Sequence, residues 1–152
     1  RHPHAYRVGY YEQGRNSPGP GLDATVFAPK VDFKFTNDTP YWLLMETYDN
    51  SNTLELKYYA TKDGRTVDWS TTGPTDVVTA PDPLYKENPD LPEGKIKQVD
   101  WSADGADVVV TRNVTRNGEL LYHDVIKTHY LPWRAIYEYG PGTQLPPDAK
   151  TE

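Results

Sequence analysis

Of all the side chains in this sequence, His4 and Asp23 are the pair best suited to chemistry. His4 precedes residues 6–11, whose alternation predicts a β-strand, and Asp23 precedes residues 24–28, which predict a second. If the two strands are antiparallel neighbours, the histidine and the carboxylate meet at one end of a sheet. A carboxylate fixes the tautomer of an imidazole and stabilises the imidazolium, which is the base-and-orienter part of a catalytic triad. The nucleophile is missing: the chain has no cysteine, and no serine sits in a sharp-turn setting. A structural hydrogen bond tying a loop to a strand end is the plainer account of the same pair. Arg1 and His2 stand beside His4 and add candidate binding groups.

Asp32, Asn37, Asp38 and Thr39 form a second candidate set, in VDFKFTNDTP. Their spacing does not match a calcium loop, and Asx-turn chemistry explains Asn37 and Asp38 without a metal, so no metal and no cofactor is expected. Asp32 and Asn37 are retained as polar binding groups. The third set is aromatic: Tyr10, Tyr11, Tyr41, Trp42, Tyr48, Tyr58, Tyr59, Trp69, Trp101 and Trp133. Exposed in a row, such rings stack on sugars or peptides. In a β domain with few leucines and isoleucines, most are expected to be core.

The elements that position these groups are strands. Tyr (12), Trp (4), Pro (14) and Gly (11) are plentiful, and no stretch of ten residues carries a helical apolar stripe. The fold class is therefore all-β: a small antiparallel β domain over residues 1–72, a Pro-rich connector over 73–92, a second, hairpin-based β element over 93–140, and a flexible tail at 141–152. Val31, Phe33 and Phe35 alternate as one face of a strand. Residues 41–48 and 53–60 read as a hairpin joined by four or five residues, Asp63-Gly64 as a turn into a short strand, and residues 75–79 as an edge strand. The strongest local signal is Asn117-Gly118 between two β-rich runs, which suits a type I′ turn. Counting outward from it, Arg116 faces Glu119, Val114 faces Leu121, Arg112 faces His123 and Val110 faces Val125. Val108, Val110, Val114, Leu121 and Val125 then form the buried face.

The formal net charge is −6 at pH 7, which argues against nucleic acid as a partner. The longest apolar run, residues 41–45, is far too short to span a bilayer.

Three motifs in order carry a resemblance: Arg1, Pro3, His4, Val8 and Tyr10; then Gly21, Asp23, Ala24, Thr25 and Val26; then Asp32, Phe35, Asn37 and Thr39. This segment, about residues 1–60, resembles the bacterial VanW-type family, first noted beside vancomycin-resistance genes. Ala5 departs from the family's usual Ser, and the loop at residues 12–22 is longer. The resemblance implies an upstream glycine-rich segment with a cysteine, so the chain is expected to lack an N-terminal portion of its own protein. It implies an exported, extracellular or envelope-associated parent, with an upstream membrane anchor as one option. Residues 93–140 more weakly resemble the G-five module that often follows VanW-type regions and is thought to bind cell-surface sugars or act as a spacer. Two function classes follow. One is a non-catalytic module at peptidoglycan or cell-surface glycan. The other is the C-terminal part of a transglutaminase-like cysteine acyltransferase or peptidase, with His4 and Asp23 as the remaining two-thirds of a triad.

Overall fold

The computed structural model describes residues 19–23, 26, 28–51 and 53–152. Among them are ten strands and no helix: β1 (Leu43–Asn50), β2 (Thr53–Ala60), β3 (Arg65–Thr71), β4 (Thr75–Val78), β5 (Leu84–Glu87), β6 (Ile96–Asp100), β7 (Gly105–Arg116), β8 (Glu119–Tyr130), β9 (Ile136–Tyr139) and β10 (Lys150–Thr151). The all-β expectation holds.

The strands form three sheets. β1 and β2 make an antiparallel hairpin in which Asn50 pairs with Thr53, so its connection is two residues, shorter than expected. β7 is the spine of the second sheet. β8 lies along one side, and β3 and then β4 lie along the other, all antiparallel to it. β3 precedes the proline-rich stretch, yet its ladder is with β7 beyond that stretch. The third sheet has the order β10-β5-β9-β6 and is mixed: β5 runs parallel to β9 and to β10, while β6 is antiparallel to β9. Residues 141–152, for which the composition suggests a flexible tail, end in β10 beside β5. There Lys150 pairs with Asp82 at 2.7 Å and Glu152 with Lys86 at 2.5 Å.

Two expected strands differ. Residues 6–11 lie outside the described residues, as do Ala24, Thr25 and Phe27; Val26 and Ala28 are in no strand. Residues 32–38 alternate in polarity but form no ladder, and Val31 makes only an isolated bridge. Alternation specifies faces, whereas a strand also needs a neighbour for its N–H and C=O groups.

The Asn117-Gly118 turn is as expected, with φ of 52° and 85°. The register beyond it is not. Arg116 faces Glu119 and Thr115 faces Leu120, but Val114 then faces Tyr122, so Leu121 is the extra residue of a β-bulge. From there every pairing moves by one: Asn113 faces His123, Arg112 faces Asp124 and Val110 faces Ile126. A one-residue slip turns a strand over. Leu121 and Val125, expected in the core, are exposed, and Tyr130 is fully buried in their stead. The core is Val108, Val110 and Tyr130, with Ile126 packed against it.

Candidate functional site

The inner face of the β3–β7–β8 sheet is defined by its buried valines, and the register places the rest. Along β8 it presents Tyr122, Asp124, Ile126, Thr128 and Tyr130; along β3 it presents Arg65, Val67, Trp69 and Thr71. Two groups of candidate residues meet this face.

The first is at Tyr130. Its hydroxyl donates to Asp23 Oδ1 and accepts the Gly21 N–H at 2.6 Å. Gly21 is buried, has φ +96°, and lies so close to the sheet that a Cβ there would fall 2.8 Å from Val108 Cγ1 and 2.9 Å from Val110 Cγ2. The residue with no side chain is therefore the one that closes over the core. Asp23 thus has one oxygen engaged by a buried tyrosine. His4, expected beside it, lies outside the described residues, as do Arg1, His2, Tyr10 and Tyr11.

The second is at Asp38. Arg65 Nη1 donates to Asp38 Oδ1 at 2.7 Å, and the Tyr122 hydroxyl donates to Oδ2 at 2.5 Å. Arg65 also pairs with Asp63 (2.9 Å), which accepts from Arg116 at 2.7 Å, so four charges and a phenol tie residue 38 to the turn end of the sheet. The Arg65 guanidinium first, and the Tyr122 hydroxyl second, lower the Asp38 pKa from 3.8 to about 2. The same bond raises Tyr122. Asp38 binds its partners as the anion, so its contribution is fully present above pH 3.8 and is lost as pH falls through about 2. Asp38→Asn should therefore be less stable than the parent at neutral pH, and the gap should narrow in denaturation curves between pH 4 and pH 2. A gap independent of pH over that range would refute this role.

Asn37 and Thr39 serve their own turn. Asn37 donates to Tyr41 O (2.8 Å) and accepts from Thr39 N and Oγ1 at 3.2 and 2.8 Å, the Asx-turn chemistry read from the sequence. Asp32 is exposed. Among the described residues no group of three or more His, Asp or Glu side chains could hold a metal ion.

The aromatic expectation needs correction. Tyr41, Trp42, Tyr48, Tyr58, Tyr59, Trp69, Trp101 and Trp133 are all exposed, Trp42 at 95%. The small core is filled by valines, alanines and Tyr130, leaving no interior for them. Trp69 (46% exposed) faces Arg112, and Arg112 faces Asp124, so the three cross the inner face in one row. Arg112 donates to Asp124 Oδ2 from Nε at 2.9 Å and Nη2 at 2.6 Å. Val67 and Tyr122 flank the row and are also exposed. This row was missed because the unbulged register puts His123, not Asp124, opposite Arg112. The opposite face carries two further pairs, His123 with Asn113 (2.7 Å) and His129 with Asp107 (2.5 Å).

The geometry defines an all-β chain whose N-terminal segment is anchored to a following sheet through Gly21, Asp23 and Asp38. Residues 1–59 match the model of the VanW family, described as VanW like protein, the family to which the three motifs point. Two solved G5 domains are similar to the chain. The IgA1 protease G5 domain is 22% identical, with 50% of this chain and 86% of that one covered, at a TM-score of 0.29. The HP0197-G5 crystal structure is 18% identical, with 50% and 97% covered, at a TM-score of 0.24. No curated protein matches the chain.

Proposed function

We propose that this chain is a non-catalytic module of the bacterial cell envelope that binds or positions at peptidoglycan or another cell-surface glycan. The observation that carries the reading is the exposure of its aromatic rings, above all Trp69 in line with the Arg112–Asp124 pair. An indole face stacks on the C–H face of a sugar ring, and a neighbouring guanidinium and carboxylate offer a donor and an acceptor to its hydroxyls. The match of residues 1–59 to the VanW like protein model supports an envelope setting.

The chain should be retained by purified peptidoglycan and titrate with soluble glycan fragments. Trp69→Ala should weaken binding about fivefold to tenfold, corresponding to about 1–1.4 kcal/mol of lost stacking. Absence of retention on any peptidoglycan or glycan preparation, measured by co-sedimentation and calorimetry, would remove the reading.

A further inference from the structure

We infer that the inner face of the β3–β7–β8 sheet is a seat for the chain's own VanW-like segment, keyed by the Tyr130 hydroxyl, and that Gly21 and Asp23 act in this chain as docking residues. The inference is independent of which ligand the envelope module takes.

The key is selective because one hydroxyl makes two opposite demands. It accepts from the Gly21 N–H, and it donates to the Asp23 carboxylate. A partner must therefore bring a bare backbone N–H and, two residues later, an acceptor. Gly21 supplies the first because any side chain there meets Val108 and Val110. Asp23 supplies the second. The demands are enforced by burial: Tyr130 is 0% exposed, and a hydroxyl taken from water must find its partners in the protein.

A second anchor repeats the chemistry further along the same strand. Tyr122 and Tyr130 stand on one face of β8, eight positions apart, which is ~27 Å at strand spacing. Each donates its hydroxyl to an aspartate of the segment that matches the VanW model, Asp38 and Asp23 respectively. Asp23 and Asp38 are fifteen positions apart, a span that reaches up to ~50 Å when extended, so one segment is long enough to serve both anchors. Arg65 makes the Asp38 anchor ionic as well. The open row of Trp69, Arg112 and Asp124 lies between the two anchors.

Amide hydrogen exchange followed by mass spectrometry on the full chain tests the seat. Tyr130→Phe removes the key and keeps the ring. It should raise exchange in the peptide spanning residues 19–23 at least about tenfold while β5, β6 and β9 keep their protection. Tyr122→Phe should loosen residues 36–41 and leave 19–23 protected. Parent-like protection of 19–23 in Tyr130→Phe would overturn the proposal, and parent-like protection of 36–41 in Tyr122→Phe would overturn the second anchor. If Tyr130→Phe loses protection everywhere, Asp23 decides: Asp23→Asn keeps an acceptor and should hold the 19–23 segment, while Asp23→Ala should release it. Equal protection in those two variants would also overturn it.

Discussion

Gly21→Ala is expected to lower the free energy of unfolding by about 2–6 kcal/mol. Two costs combine. The φ of +96° is one that alanine rarely adopts, at roughly 1–3 kcal/mol. The new methyl also enters contacts of 2.8 and 2.9 Å with Val108 and Val110, an overpacking cost of roughly 1–3 kcal/mol. A double-mutant cycle separates them. Val108→Ala alone empties part of the core and destabilises, but in the double variant the methyl at residue 21 finds the vacated space. The two changes should therefore couple by at least about 0.5 kcal/mol, with the double variant more stable than the sum of losses predicts. Urea denaturation of the four chains measures this directly. Strictly additive losses would mean that residue 21 does not press on Val108.

Gly140→Ala should cost about 3–5 kcal/mol, and its damage should be confined to the other sheet. Gly140 is buried at the end of β9, where its N–H donates to Lys95 O at 3.1 Å. A Cβ there would overlap the Pro92 carbonyl oxygen and stand 2.5 Å from that of Leu91. These are backbone atoms with no alternative rotamer, so the turn at residues 91–94 must move away and the β6–β9 pairing must loosen. At Gly21 the obstruction is side chain, and trimming a valine relieves part of it; at Gly140 no single side-chain change should. Denaturation combined with amide exchange checks both parts: β5, β6 and β9 should lose protection while the pairing of β7 with β8 keeps it. A free energy of unfolding within about 0.5 kcal/mol of the parent's would show that the turn yields freely.

The two glycines also mark how far the sequence could be read. The hairpins were legible because their signals are local. Asn117-Gly118 can take positive φ, and TLELKYYA alternates over the span of β2. The mixed sheet was not legible. β5 has four residues, and its parallel partner β9 lies about fifty positions away, so no local pattern announces the pairing. The aromatic residues were misplaced for a related reason. Composition says that rings are numerous, but whether they are inside depends on how much interior the strands enclose, and this core closes around a few valines and one tyrosine. Asp23 was legible as an important carboxylate, but its partner was not. Tyr130 lies more than a hundred positions away and, counted without the bulge, points to the wrong side.

The bulge at Leu121 therefore has a consequence for the whole of β8. It acts as a parity setting. With Leu121 skipped, even-numbered residues turn inward: Tyr122 reaches Asp38, Asp124 reaches Arg112, and Tyr130 reaches Gly21 and Asp23. Count the strand without that skip and the inward set becomes Leu121, His123, Val125, Lys127 and His129. The interior would then receive two imidazoles and an ammonium where it now has phenols and an isoleucine. A single residue that pairs with nothing thus decides whether this surface can hold the rest of its own chain, and the two histidines face the opposite side because of it.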